Sequence, residues 1–129
     1  MLTALISTIA MKVGVNGMLL LSICQVESGL RPVNNFKDGN GGSYGVCMIN
    51  EKTAKSFFPF VDRLALQQPS ENITIAAMYL KKLYSKYNNP WHSVAAFNAG
   101  KARMENGQYR NAEYVAKVKR VYCSIEDCI

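Results

Sequence analysis

Asn16-Gly17-Met18-Leu19-Leu20-Leu21-Ser22-Ile23-Cys24-Gln25-Val26-Glu27-Ser28-Gly29-Leu30 is an apolar run with a start signal at one end and a stop signal at the other. The Asn16 side chain can accept a bond from an orphan backbone N–H, and Val15 and Leu20 are spaced to close a hydrophobic staple across it. Gly29 supplies the left-handed residue that ends a helix. The stretch therefore reads as a buried helix whose last turn carries Glu27. Exposed carbonyls at a helix C-terminus bear partial negative charge, which disfavours a carboxylate relative to its protonated form. A proton donor belongs at such a position more naturally than a structural ion does.

Two further strings give this helix its meaning. Gly42-Ser43-Tyr44-Gly45-Val46-Cys47-Met48-Ile49-Asn50 follows a glycine-rich segment, and Ala95-Ala96-Phe97-Asn98-Ala99-Gly100 closes a later helix. With Glu27-Ser28-Gly29, and in this order, they resemble the catalytic domain of the lytic transglycosylases, relatives of goose-type lysozyme that cut the glycan strands of peptidoglycan. That family shows Glu-Ser-Gly, then Gly-Ser-x-Gly-Leu-Met-Gln-Ile, then Ala-Tyr-Asn-Ala-Gly. Each piece alone is weak, and the ordered triple, spread over nearly the whole chain, is specific.

The resemblance implies a lysozyme-like fold and a reaction. Glu27 would act as general acid and then base, cleaving the β-1,4 bond between N-acetylmuramic acid and N-acetylglucosamine and leaving 1,6-anhydromuramic acid ends. It implies sugar contacts at Ser28, Ser43, Tyr44, Gly45, Met48, Phe97, Asn98 and Tyr114. Ser28 has an equal claim to be a polar residue of the helix end. Gly45 would let a sugar approach the backbone closely. Asn98 reads by its chemistry as a clamp between helix end and loop. Tyr114 would orient Glu27, its alternative being a half-buried core tyrosine. The chain departs from the family pattern twice: Met48 stands where a glutamine amide is usual, and Phe97 where a tyrosine is usual.

Size and charge are compatible with this. The 129 residues make one domain, 1–129, long enough to bury a single core. Hydrophobic residues at 49% and charged ones at 19% exclude a disordered chain. A net charge of +6 suits an anionic polymer such as a bacterial wall. Nucleic acid is the competing partner, but Lys81, Lys82, Lys86, Lys117, Lys119 and Arg120 fall on outward helix faces and read as solvated surface. No run is long enough to span a bilayer. Leu2 to Ala10 lacks the basic start of a signal peptide and flows into Met11-Lys12-Val13 as a first amphipathic helix.

No cofactor and no metal is called for. Asp38-Gly39-Asn40-Gly41-Gly42 opens like a calcium loop, yet Ile49 stands where a bidentate Glu is needed. His92 has no credible triad. Cys24 and Cys47 read as buried free thiols, and Cys123 with Cys128 as a small terminal disulfide loop.

The expected fold is mainly α, with a short irregular or small β segment near residues 31–46. Further helices are expected from Glu51 to Phe58 (stopped by Pro59), from about Ser70, from Trp91 to Asn98 after the cap Asn89 and Pro90, and from Asn111 to Tyr122. The long helix carries a core stripe of Ile73, Ala76, Ala77, Leu80, Leu83, Tyr84 and Tyr87, and the last helix turns Val115, Val118 and Val121 inward. Peptidoglycan strands are the expected partner, at the cell wall, with a phage particle or a secretion apparatus as the carrier. The alternatives are a lysozyme-like hydrolase, with Asp38 as a second carboxylate, and a non-catalytic wall-binding or assembly subunit.

Overall fold

The computed structural model describes residues 2–125. Helix α1 (Leu2–Val13) and α2 (Gly17–Ser28) pack against each other, and α1 lies along the long α5 (Pro69–Tyr87). Helix α6 (Pro90–Ala99) packs on α5 and on α7 (Ala112–Ile125), while α7 closes back onto α2. Among the described residues, Ile6, Leu20, Ile23, Ile73, Val94 and Val118 are fully buried where these helices meet. At about 25 cal/mol per Å² of apolar surface removed from water, such a core supplies the main drive to fold.

The segment around residues 31–46 is more ordered than its composition suggests. Strands β1 (Asn34–Asn35), β2 (Ser43–Tyr44) and β3 (Ile49–Asn50) form a small antiparallel sheet, with Asn34 opposite Tyr44 and Tyr44 opposite Ile49. Helices α3 (Glu51–Phe57) and α4 (Arg63–Leu66) follow it, and a second hairpin, β4 (Met104–Glu105) with β5 (Gln108–Tyr109), precedes α7. Neither α4 nor that hairpin has a periodic signature; each is too short for one.

The helix boundaries follow from local chemistry. Asn16 Oδ1 accepts from the backbone N–H groups of Met18 and Leu19 at 3.0 and 3.1 Å, and Gly29 closes α2 at φ +69°. Asn89 caps α6 in the same way ahead of Pro90, bonding the N–H groups of Trp91 and His92. On α5 the stripe is buried through Leu83, but Tyr84 is 47% exposed and leans into a shallow hollow beside Val15 and Leu19. Val121 on α7 is only half-buried.

The cysteines require a correction. Cys24 and Cys47 are joined in a disulfide, and both are completely buried. Apolar surroundings suit a buried disulfide as well as a buried thiol, and the fold supplies the contact between positions 23 residues apart. The pairing of Cys123 with Cys128 falls on Cys128, which lies outside the described residues.

Closing a loop of this length restricts the unfolded chain, with a stabilisation of about 3 kcal/mol. The double change Cys24→Ala, Cys47→Ala should lower the unfolding free energy by about that amount in urea denaturation. A non-reducing peptide map should show the Cys24 and Cys47 peptides linked; separate thiol peptides would contradict the assignment.

Candidate active site

Glu27 lies one residue before the end of α2, where Gly29 turns the chain by donating its N–H to the Gln25 carbonyl at 2.8 Å. Its carboxyl group faces a cleft and meets Tyr114, delivered by the first turn of α7. The Tyr114 hydroxyl donates to Glu27 Oε2 at 2.8 Å across 87 positions of sequence. Burial pushes the Glu27 carboxyl up to about 7 from its ordinary 4.5; the Tyr114 bond opposes this, and the negative charge of Asp38 adds to the rise. Loss of water is thus the main cause. Burial and the neighbouring Glu27 charge push the Tyr114 phenol up in turn, so it remains a proton-bearing donor.

The cleft has two hollows that share Glu27 and Asn98. One, of about 480 Å³, is lined by Asp38, Ser43, Met48, Tyr79 and Phe97. The other, of about 720 Å³, is lined by Tyr109, Asn111, Tyr114 and Lys117, with the β4–β5 hairpin as its rim. Glu27 sits where the two meet, so a polymer laid along the cleft would pass over it.

The floor is held from beneath by groups that the sequence did not announce. Asn72, fully buried on α5, accepts from the Cys47 N–H at 2.8 Å and donates to the carbonyls of Tyr44 at 2.7 Å and Leu66 at 2.9 Å. One amide thereby fixes the β2–β3 turn against the core. Asn72 falls in register with Ala76 and Leu80, and a polar residue on an apolar stripe was the signal available. The loop wall before Ser43 is pinned by Asn50, whose Nδ2 donates to the Gly39 carbonyl at 2.7 Å. Glu51 strengthens the same wall by pairing with Arg63 at 3.0 Å.

Three residues expected to contact sugar are engaged within this scaffold. A Cβ on Gly45, at φ +82°, would lie 2.6 Å from Asn72 Cγ, so the glycine makes room for the Asn72 amide. Tyr44 is fully buried, its hydroxyl donating to the Gly41 carbonyl at 2.6 Å and its ring meeting Phe36 edge-on. Ser28 is buried, donating to the Val46 carbonyl at 2.5 Å and accepting from the Arg31 N–H at 3.0 Å. These three residues build the cleft floor and do not line it.

Ser43, Met48 and Phe97 line the hollow beside Asp38. Met48 is presented from a left-handed position at φ +49°. Phe97 packs against Tyr79 with ring centroids 5.2 Å apart. Asn98 accepts from Asn111 Nδ2 at 2.9 Å, and the same nitrogen bonds the Ala95 carbonyl at 3.0 Å, tying the end of α6 to the start of α7. Among the described residues, no group of three or more His, Cys, Asp and Glu side chains is gathered to hold a metal ion. The chemistry available is that of a buried carboxyl, a phenol and an open polar cleft.

The raised Glu27 value has a consequence for stability. Below about pH 4.5 the group is protonated whether the chain is folded or not; above about 7 it is ionised in both states. Between these limits the folded protein binds more protons, so stability falls as pH rises, by up to about 3 kcal/mol. Thermal midpoints measured from about pH 5 to about pH 8 should show this loss in the wild type and lack it in Glu27→Gln. Equal slopes for the two proteins would contradict the buried-acid assignment.

Similarity to known proteins agrees with the fold. The family model described as the transglycosylase SLT domain matches residues 4–118. The X polypeptide of Escherichia coli, and that of Escherichia coli strain K12, are 34% identical over 58 residues, which is 45% of this chain and 34% of theirs. The chain thus spans about a third of the length of the curated relatives it matches. Among solved structures, an inactive mutant of the lytic transglycosylase Slt from Pseudomonas aeruginosa superposes with a TM-score of 0.67 at 20% identity, covering 96% of this chain and 22% of that one. That likeness gives the lysozyme-like fold, and the match over residues 4–118 gives the family: the chain belongs to the transglycosylase SLT domain family.

Proposed function

We propose that the domain is a peptidoglycan lytic transglycosylase in which Glu27 serves as both acid and base. The observation that carries this reading is the placing of Glu27 at the junction of two hollows, bonded by Tyr114 and with its carboxyl pushed up to about 7 by burial. Because Tyr114 donates to Oε2, the acidic proton resides on Oε1, free to pass to the glycosidic oxygen. As that bond breaks, positive charge develops at the anomeric carbon of the muramic acid. The 6-hydroxyl of the same sugar then attacks that carbon, and the Glu27 carboxylate takes its proton. The 1,6-anhydro product forms, the acid is regenerated and no water is consumed.

Energetically, the tethered hydroxyl outcompetes water because its loss of freedom is already paid, an advantage of about 7–11 kcal/mol. Tyr114 steadies the ionised carboxylate between the two steps. The net charge of +6 suits an anionic wall polymer. A phage particle or a secretion apparatus that brings the domain to the wall is the partner this reading calls for. The non-catalytic alternative is weakened by the Glu27 environment, since a wall-binding subunit has no need of a strained acid.

One observation favours a second reading. Asp38 lines the same hollow as Glu27, and its charge reaches that carboxyl. A lysozyme-like hydrolase could use it to stabilise charge or guide a water.

Mass analysis of digested sacculi separates the two. Muropeptides ending in 1,6-anhydromuramic acid, lighter by one water and without a reducing end, are expected; reducing-end products as the main species would favour the hydrolase. Glu27→Gln should stay folded and lose about 10²–10⁴-fold in rate. Tyr114→Phe removes the bond that lowers the Glu27 value, so the alkaline limb of the rate profile should move to higher pH as the rate falls. An unchanged profile would remove Tyr114 from the mechanism.

A further inference from the structure

His92, the one histidine of the chain, lines neither hollow of the cleft, yet it holds one of the walls. A side of the second hollow is built by the β4–β5 hairpin, from Glu105 and Asn106 at its tip to Tyr109 and Arg110 at its base. Its strands are 2 residues long and turn through Asn106 and Gly107, both at positive φ. A ribbon so short does not hold its own position in water. The Arg110 N–H bonded to the Arg103 carbonyl at 2.8 Å and the exposed Arg110–Glu105 ion pair join its strands to each other and not to the helices.

Tyr109 supplies the tie to the helices. From position 103 to 110 it is the one residue that is not exposed. Its hydroxyl meets His92 Nδ1 at 2.8 Å, and the two rings stand edge-on with centroids 5.3 Å apart. Burial pushes the Tyr109 phenol up, so it keeps the proton that Nδ1 can accept. Tyr87 backs the imidazole from α5 at 6.0 Å, and its hydroxyl accepts from the Ala102 N–H at 3.0 Å, fixing the chain where it enters the hairpin. Asn111 fixes the exit through its bonds to Ala95 and Asn98. Between these two anchors, the Tyr109–His92 bond sets the angle at which the hairpin stands.

We propose that His92 is a positioning residue for the glycan strand: through Tyr109 it holds the hairpin as the wall along which the strand lies beside Glu27. The inference rests on the cleft being a glycan site and assigns the group that shapes its second hollow. A wall held in advance does not have to be ordered when the strand binds. Losing the one neutral hydrogen bond that holds it should weaken binding by about two- to tenfold. The Glu27–Tyr114 bond is untouched, so the bond-breaking step should keep its rate.

The test compares His92→Phe, which keeps a ring against Tyr109 and removes the acceptor, with His92→Asn, whose side-chain oxygen stands near the place of Nδ1. On wall sacculi, His92→Phe should raise KM by about fivefold and leave kcat and its pH profile as in the wild type. His92→Asn should recover most of that loss. In the Glu27→Gln background, which binds without cleaving, the same ratios should appear in the Kd for sacculi. Adding Tyr109→Phe to His92→Phe should cost nothing further, because the two side chains make one bond. Partial unfolding would instead lower the active fraction and thus kcat, and circular dichroism checks for it. An unmoved KM and Kd, a loss in kcat alone, no recovery by asparagine, additive losses from His92 and Tyr109, or no binding to sacculi at all overturns the inference. His92-dependent binding without any 1,6-anhydro product from the wild type would leave this inference standing and remove the proposed reaction.

Discussion

The side-chain amide of Asn72 is the fastening on which the cleft depends. One buried group satisfies the Cys47 N–H and the carbonyls of Tyr44 and Leu66, joining α5 to the β2–β3 turn and to α4. Unpaired, each of those backbone groups would cost about 1–3 kcal/mol in a dry interior. The arrangement demands glycine at 45, because any larger residue would displace the amide. The same turn is tied to α2 twice more, through the Cys24–Cys47 bridge and the Ser28 bond to Val46. The helix that carries Glu27 and the turn that carries Met48 are thereby held as one piece.

Rigidity of this kind suits the proposed reaction, which would rely on one carboxyl group. A buried acid is destabilised by loss of water, and that destabilisation keeps its proton on near neutral pH. Too dry a site would hold the proton too tightly to give it up. Tyr114 works against the burial by donating to one oxygen, and Asp38 works with it from across the hollow. The resulting value of about 7 is a balance between these contributions, and it places the acid where transfer in both directions is feasible. No one of the three residues sets it alone.

The departures at Met48 and Phe97 take on a different sense in this setting. Both line the hollow with apolar surface, and the phenol that stands closest to Phe97 comes from another helix. A cleft can hold the same kinds of group while drawing them from other positions, which an ordered motif does not show. The residues that match the motif most closely divide between those that face the cleft, such as Ser43, and those that build its floor, such as Gly45 and Tyr44.

Helix ends and core faces were legible in the sequence because they rest on local chemistry: Asn16 and Asn89 cap, Gly29 stops, and the Ile73 to Leu83 stripe buries itself at helical spacing. Glu27 was legible for the same reason, as an acid placed at the end of an apolar helix within an ordered set of motifs. Short elements were not, since α4 and the β4–β5 hairpin carry too few residues for a period to emerge. Of the long-range partnerships only Glu27 with Tyr114 was anticipated, and that through the family resemblance. Cys24 with Cys47, Asn72 with the β2–β3 turn and Tyr79 with Phe97 were not; each joins residues from separate elements. Spacing along a chain fixes which face a residue occupies; only packing decides what that face meets, and dryness, hydrogen-bond partners and acidity all follow from the meeting.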